Sequence, residues 1–254
     1  MEGRLTGDMI YMFINLLLNE VSMTRDKRTI PMTDAEMLVQ QISQELQSVE
    51  QKIRHHAYLQ ALEERRIELS RLQCFVGEQW HIISGDLRSI ALLISRCEQT
   101  ESQQFFRDVL QGEAAALEAL APLAVAVGIQ PSDCAAYEPT PGAQAYSAYL
   151  AWLCLYGSDA EVAAALSINF AAWGANCGRM AQALQQHYGL RAADVVFFTQ
   201  FAAASPDVGP EALAIIESAL RRGVEAGRIT RAARMLQGYE LMFWDTMYDS
   251  ACSR

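Results

Sequence analysis

The residue that most clearly suggests chemistry is Glu240, a carboxylate on the apolar side of a helix-forming pattern near the C-terminus. It lies four residues after Leu236 and three before Phe243, so the three side chains share one helix face. A buried carboxylate loses hydration, which raises its pKa and requires a hydrogen-bond partner or a catalytic role. We therefore predict that Glu240 faces a pocket inside a helical bundle and acts there as a catalytic acid or base.

Further side chains with polar or aromatic groups lie on apolar stripes and could face the same pocket. A buried amide such as Asn169 must be satisfied either by a neighbouring side chain or by a ligand, and both interpretations stay open. Aromatic residues at helical spacing are either core residues or a pocket wall. A thiol is a nucleophile where a neighbouring base or cation lowers its pKa, and is otherwise a small buried hydrophobe. We predict that the ligand contacts Asn169, Trp173, Cys177, Tyr146, Tyr149 and Trp244.

Glu78 and His81 form a Glu-x-x-His motif, which puts both side chains on one face of a helix. Helical bundles with a di-iron centre use two such motifs together with two further glutamates. This chain has one copy and four histidines in all. We therefore predict that the pair orients a ligand through hydrogen bonds and that the chain holds no metal.

Composition narrows the classes of function. The formal net charge is −10 and the isoelectric point about 4.9, so nucleic acid is repelled. An arginine cluster between Arg221 and Arg234 is interrupted by Glu225 and is typical of a solvated face. The six cysteines show no CxxC spacing, and no signal peptide is recognisable. We expect a cytoplasmic protein without disulfides that binds neither nucleic acid nor membranes.

The elements that must position these residues are helices. Apolar residues recur with helical spacing along most of the chain, and no segment alternates like a strand. Thr33 and Glu36 form a capping box at the start of the first helix, and Gly189 ends a long one. Residues 84–86 (Ser-Gly-Asp) interrupt another pattern, where we expect a break. The fold class is therefore all-α, with about eight or nine helices in a single domain at 33–254.

Residues 1–32 form an N-terminal extension with an apolar run at Met9–Leu18. The run is too short to span a membrane and contains Asn15. Two interpretations remain open. The extension forms an extra helix, packed on the body or on a partner subunit, or the start is too long and translation begins at Met23 or Met32.

Several segments together resemble one superfamily. Residues 56–62 (HAYLQAL) and 75–83 (FVGEQWHII) resemble the HPYLxxL … FxxEQYxII opening of heme-oxygenase-like helical proteins. Tyr146-x-x-Tyr149-Leu150 and the closing Tyr239-Glu240-x-x-Phe243-Trp244 resemble the TenA (thiaminase II) branch, which shares its scaffold with pyrroloquinoline-quinone synthase. The resemblance extends over about residues 35–248. It implies a heme-oxygenase-like multi-helix bundle with a central pocket, commonly in a homo-oligomer.

The resemblance also implies which family activities the chain has lost. Glu240 matches the active-site carboxylate of TenA-type thiaminases, but Asn169 stands at the position of their nucleophilic cysteine and Trp173 at that of their tyrosine. Asparagine cannot form the covalent adduct of thiamine cleavage, so we expect no thiaminase activity. In the di-iron branch a histidine follows the first glutamate by seven residues, where this chain has Gly85, and the later ligand segment at 195–201 lacks histidine. We expect no complete di-iron site and no other cofactor.

Three hypotheses follow. The first is a small-molecule biosynthetic tailoring enzyme, a metal-independent oxidoreductase, lyase or hydrolase, with an aromatic-lined pocket for a mostly apolar or aromatic ligand. The second is a non-catalytic relative that binds a ligand or partner and has a regulatory role. The third is a non-heme di-iron oxygenase with atypical ligands. In each case we expect a homodimer or a higher homo-oligomer.

Overall fold

The all-α prediction is confirmed. The computed structural model describes residues 31–203 and 207–252, and over these ranges it contains nine α-helices and no strand. Three short 3-10 helices, Leu69–Arg71, Pro131–Ala136 and Ala192–Val195, occur in the connections. The α-helices are α1 (Asp34–Arg54), α2 (Ala57–Glu63), α3 (Leu72–Arg96), α4 (Thr100–Ala126), α5 (Pro141–Tyr156), α6 (Asp159–Tyr188), α7 (Val196–Ala202), α8 (Pro210–Arg221) and α9 (Ala226–Cys252).

Local sequence determines several helix ends. The Thr33 hydroxyl accepts a hydrogen bond from the Glu36 amide, and the Glu36 carboxylate accepts one from the Thr33 amide, which is the predicted capping box. Ser158 and Glu161 repeat this arrangement at the start of α6. At its far end α6 stops at Gly189, which has φ 75° and so adopts a left-handed conformation that glycine allows.

The predicted break at residues 84–86 is wrong, because α3 continues through them to Arg96. A side chain at position 85 would begin 2.9 Å from the Ser147 hydroxyl of α5, so Gly85 allows the two helices to approach closely. Residues 204–206 lie outside the described residues, and α8 begins at Pro210 after Gly209. The N-terminal extension also lies outside them, up to residue 30.

The helices enclose two apolar clusters that meet along α6. One is rich in aromatic rings and includes Tyr58, Phe75, Trp173 and Trp244. The other is mostly aliphatic and lies between α1, α3, α4, α5, α6, α8 and the first half of α9. In α6 the buried run Ala163–Ala165 has small side chains, which lets neighbouring helices pack closely. The boundary between the clusters is where Asn169 and Glu240 are buried.

All six cysteines are free in the structure. By length and composition α4 is apolar enough to cross a membrane, although a single helix of this kind is weak evidence for a span. Its inner side contributes Phe106, Leu120 and Leu123 to the two clusters. The cytoplasmic location stays a prediction.

Candidate functional site

A cavity lies between α3, α4, α5, α6, α7 and α9, where Glu240 faces the interior. The volume of the cavity is about 40 Å³, which is room for about three water molecules. Its polar lining groups are carboxyls, amides, a phenol and an indole, and no lysine, arginine or histidine lines it among the described residues. The lining residues are Gln79, Ile82, Ile83, Asp86, Glu113, Tyr146, Asn169, Phe170, Trp173, Phe201, Glu240 and Phe243.

Glu240 is held by two donors, one a turn later on α9 itself and one on α6. Only 2% of the residue is exposed. The Trp244 indole N–H donates to its Oε1 at 3.0 Å, and the Asn169 amide donates to Oε2. Burial raises the pKa of Glu240 to about 7, although both hydrogen bonds and the charge of Arg54 act to lower it. At neutral pH this carboxyl can therefore either give or take a proton.

The Asn169 amide is satisfied by neighbouring side chains, as one of its two interpretations expects. Its Nδ2 donates to Glu240 and, at 3.2 Å, to Gln237 Oε1. Its Oδ1 accepts a hydrogen bond from the Tyr146 hydroxyl at 3.0 Å. Because every polar atom of Asn169 has a partner, the amide fixes the position of the Glu240 carboxyl and the Tyr146 hydroxyl, both of which line the cavity.

Aromatic rings form the floor of the cavity. Trp173 contacts the rings of Phe243, Trp244 and Phe201, with centroid distances of 5.9, 5.5 and 5.7 Å. Trp173 itself is 9% exposed. This packing keeps bulk water away from Glu240, which is the physical cause of its raised pKa.

Two further carboxyls, which the sequence analysis missed, lie in the same cavity. Asp86 of α3 is 4% exposed and accepts a hydrogen bond from the Ser147 hydroxyl at 2.5 Å. Burial raises the pKa of Asp86 to about 7. Burial and the charge of Asp86 together raise the pKa of Glu113, on α4, to about 8. At neutral pH this pair of carboxyls therefore retains at least one proton.

Gln79 supplies an unpartnered polar group to the cavity. The residue is 4% exposed, and its side-chain amide has no hydrogen bond within the described part of the chain. Its polar atoms are not among the buried unpartnered atoms of the described residues, so the amide is open to the cavity. A ligand or ordered water in the cavity would supply the missing partner.

Glu78 and His81 do not line the cavity, in contrast to the prediction that they orient the ligand. The Glu78 carboxylate accepts hydrogen bonds from the Thr140 amide and hydroxyl at 2.7 and 2.8 Å, from Gln144 at 2.7 Å and from the Tyr137 hydroxyl at 3.3 Å. The His81 imidazole contacts the Tyr137 carbonyl at 2.8 Å. The motif therefore shares one helix face, as expected, but that face anchors the segment between α4 and α5.

We expect Glu78→Gln to lower the free energy of unfolding by about 2 kcal/mol, because an amide nitrogen would then face donors that now bond to a carboxylate. Urea denaturation measures this change. Glu64→Gln is the matched control, since the Glu64–Arg66 ion pair is exposed and should contribute less than about 1 kcal/mol. Equal effects of the two substitutions would contradict a structural role for Glu78.

Cys177 and Tyr149 also lie outside the cavity lining. Cys177 is fully buried in the aromatic cluster, and burial raises the pKa of its thiol well above the ordinary value. A neutral buried thiol is a poor nucleophile, so this residue is a core side chain. Tyr149 is half-buried on the outer side of α5 and contacts the rings of Trp152 and Tyr239 at 5.8 and 5.1 Å.

No three side chains of His, Cys, Asp or Glu converge in a way that could hold a metal ion, within the residues that the structure describes. At the expected late-ligand segment, Phe197 and Phe198 are instead buried in the aromatic cluster.

Of the predicted site residues, the structure brings four to the cavity and one directly behind Glu240. The four are Tyr146, Asn169, Trp173 and Glu240, and the fifth is Trp244.

Comparisons with known proteins agree with this architecture. The model of the TENA/THI-4/PQQC family matches residues 43–250. No curated protein matches the chain. A TenA homolog from Pseudomonas syringae pv. tomato str. DC3000 superposes with a TM-score of 0.71, at 14% identity, with 89% of this chain and 100% of that chain covered. A TenA homologue from Pyrococcus furiosus gives 0.66 at 19% identity, with 84% and 100% covered.

A third solved structure identifies the fold. It is a domain of unknown function with a heme oxygenase-like fold from Shewanella denitrificans OS217, with a TM-score of 0.66, 12% identity, and coverage of 86% of this chain and 94% of that chain. At these identities the similarity shows the fold alone. The predicted heme-oxygenase-like bundle is thereby confirmed.

Proposed function

The chain belongs to the TENA/THI-4/PQQC family, and on that premise we propose that it is a small-molecule enzyme in which Glu240 transfers a proton within an aromatic-lined cavity. The observation that carries this proposal is the state of Glu240. Its carboxyl is buried, lines the cavity, is oriented by Trp244 and Asn169, and has a pKa raised to about 7. An acid or base is most effective when its pKa lies near the working pH.

The reaction we propose does not use a cysteine nucleophile. Asn169, which the resemblance places at the nucleophile position, has its amide engaged by Tyr146, Gln237 and Glu240. The nearest cysteine along α6 is Cys177, which lies outside the cavity lining. Proton transfer by Glu240 supports a hydrolysis or an elimination rather than thiamine cleavage through a covalent adduct.

The ligand we propose is small, mostly apolar or aromatic, and carries hydrogen-bond donors. Phe243, Trp173 and the isoleucines of α3 give apolar walls, whereas three carboxyls and the unpartnered Gln79 amide give polar contacts. No cationic side chain among the described residues lines the cavity, so an anionic ligand would find no positive charge there to offset its lost hydration. The open volume of about 40 Å³ is smaller than the roughly 150 Å³ of a cavity known to hold benzene, so a side chain that lines the cavity must move to admit an aromatic ring.

A thermal-shift assay with three one-ring probes tests this ligand class. We expect benzyl alcohol and benzylamine to raise the melting temperature and benzoate to have no effect, because burying a carboxylate among carboxyls is unfavourable. Gln79→Leu should leave the protein about as stable as the wild type, since the amide it removes makes no hydrogen bond within the described part of the chain. The same substitution should weaken binding of benzyl alcohol. Stabilisation by benzoate equal to that by benzyl alcohol would contradict the proposed ligand class.

The second candidate, a non-catalytic ligand-binding relative, shares the cavity and differs in the role of Glu240. Under both candidate functions we expect the probes to bind. Only under the enzyme proposal do we expect a variant without the Glu240 carboxyl to keep its ligand affinity and lose turnover.

A further inference from the structure

The carboxyls of Asp86 and Glu113 form a pair on a part of the cavity wall that does not include Glu240. Asp86 is on α3 and Glu113 on α4, two helices that pack against each other, whereas Glu240 is on α9. The Asp86 carboxyl accepts a hydrogen bond from the Ser147 hydroxyl, and the Glu113 carboxyl makes none within the described part of the chain. Oxygen atoms of both carboxyls therefore remain available to a ligand in the cavity.

The pair holds a proton at neutral pH. Burial raises the pKa of Asp86 to about 7, and burial together with the charge of Asp86 raises the pKa of Glu113 to about 8. Two buried carboxyls that repel each other do not both ionise readily, so they keep one proton until the pH exceeds about 8. Glu113 is only half-buried, which gives the pair a route for exchanging this proton with water.

The groups around the pair supply no positive charge. The helix α5 contributes Tyr146 and Cys154, and burial followed by the charge of Asp86 raises the pKa of each. The helix α9 contributes Glu240. Arg96 follows Asp86 on α3 almost three turns later and donates to the Cys154 carbonyl. No lysine, arginine or histidine of the described ranges lines the cavity, so no cation competes with a ligand for these carboxyls.

A separate observation, on Gln79, indicates that a ligand contacts this cavity. Gln79 is 4% exposed, lines the cavity, and has no hydrogen bond for its amide within the described residues. It lies two turns before Asp86 on α3, about 10 Å along the helix axis. Burial and the charges of all three carboxyls raise the pKa of Tyr146, so its hydroxyl lies within electrostatic reach of each of them. A small ligand beside Tyr146 can therefore reach both Glu240 and the pair.

We propose that the Asp86–Glu113 pair is a second proton-transfer group, and that the reaction is an elimination in which Glu240 acts as the base and the pair as the acid. This assignment rests on the proposed function, because Glu240 must take a proton from the ligand. Titratable groups held in different environments of one site commonly divide the acid and base roles in this way. With both groups in place, neither the ligand nor its leaving group has to carry an unpaired charge inside the cavity.

The elimination moves one proton at each end of the ligand. The Glu240 carboxylate takes a proton from a carbon atom, and the electrons of that C–H bond form a new π bond. The bond from the neighbouring atom to the leaving oxygen or nitrogen breaks with its electron pair, and the leaving atom takes the proton shared by Asp86 and Glu113. Glu240 then holds one more proton and the pair one fewer, so exchange of a proton with water restores both.

Ring opening of 1,2-benzisoxazole tests the role of the pair, because it is an elimination within a small aromatic molecule. Removal of the proton on the carbon beside nitrogen breaks the N–O bond, and the product is 2-hydroxybenzonitrile. We expect Asp86→Asn to lower kcat for this probe by about 10²-fold, as for loss of a general acid. In 5-nitro-1,2-benzisoxazole the nitro group stabilises the leaving phenolate, so the loss should be less than about tenfold. Ultraviolet absorbance of the product follows both reactions.

The pH–rate profile with 1,2-benzisoxazole separates an acid from a structural group. In the wild type the rate should fall below pH 7 as Glu240 takes up a proton, and above pH 8 as the pair loses its own. Asp86→Asn should remove only the alkaline fall, because Glu113 without its partner is charged across this range. Glu113→Gln should lose activity selectively towards 1,2-benzisoxazole at pH 8, where the remaining Asp86 carboxyl is charged.

Glu118→Gln, at an exposed position on α4, is the control and should leave both rates unchanged. Asp86→Asn removes a buried charge and keeps the acceptor for the Ser147 hydroxyl, so this variant should fold, which its melting curve shows. Equal losses on the two probes, or no loss on either, would overturn the role of the pair and leave Glu240 as the base. If neither probe is turned over, or if Glu240→Gln retains the wild-type rate, the proposed function fails and the role of the pair fails with it.

Discussion

Glu240→Gln is expected to lower turnover by about 10²- to 10⁴-fold while the fold and ligand affinity are retained. The substitution keeps the size of the side chain and removes the proton that the carboxyl exchanges. Glutamine can still accept the Trp244 N–H through its oxygen, and Asn169 can turn its amide to accept from the new amide group. Steady-state kinetics on a substrate gives the loss in kcat, and the thermal shift with benzyl alcohol reports whether the cavity is intact.

The pKa of Glu240 can be measured without a substrate. A ¹³C carboxyl NMR titration should contain resonances of both Glu240 and Asp86 that titrate near pH 7, and Glu240→Gln should remove only the first of them. Trp244→Phe keeps an aromatic ring and removes one hydrogen bond that lowers the pKa of Glu240, so the Glu240 resonance and any pH–rate profile should move to higher pH. If Glu240→Gln turns over substrate at the wild-type rate, the enzyme proposal fails. Loss of ligand affinity with turnover per bound ligand unchanged would assign Glu240 to binding alone.

Glu240 could be predicted from the sequence because one rule sufficed. A carboxylate on the apolar stripe of a regular helix must be buried, and burial determines its chemistry. Asp86 obeys the same rule on α3, seven residues after Gln79 and on the same face. Sequence alone does not indicate Asp86, because the Ser-Gly pair at 84–85 is turn-like and predicts the end of a helix there. Packing against Ser147 of α5 overrides that local preference, and sequence spacing within α3 does not reveal α5.

Glu78 and Glu113 show a second limit of the sequence. Glu78 and Gln79 are adjacent, so a rotation of about 100° decides which side chain enters the cavity. Hydrophobic spacing determines the rotation of α3 about its own axis only to within one residue. The position of the segment between α4 and α5 determines which of the two side chains faces the cavity. Glu113 is surrounded by alanine and glycine, which gives α4 no narrow stripe to identify an inner face. Its place in the cavity follows from packing against α3.

The carboxyls of Asp86 and Glu113 have the largest expected effect on the free energy of unfolding. Unfolded Asp86 titrates near 3.8, and in the fold its pKa is raised to about 7. Between these values the native state binds more protons than the unfolded state, so stability falls as pH rises. A pKa shift of about 3 units corresponds to about 4 kcal/mol of destabilisation. This destabilisation is absent below pH 4 and complete above pH 7. Glu113, whose pKa is raised to about 8, acts in the same direction.

Asp86→Asn should therefore stabilise the protein at pH 8 relative to the wild type, by up to about 4 kcal/mol, and should confer little or no gain at pH 4. The asparagine oxygen can still accept the Ser147 hydroxyl, so the substitution isolates the charge. The measurement is the difference in unfolding free energy between variant and wild type from pH 4 to 8. Groups outside the pair cancel in that difference. Glu118→Gln, at an exposed position on α4, should give a flat difference over the same range.

Asp86 and Glu113 repel each other when both are charged, so Asp86→Asn should also lower the pKa of Glu113 towards its ordinary value. A flat difference for Asp86→Asn as well would mean that water reaches this wall of the cavity, and the same solvation would bring the pKa of Glu240 down.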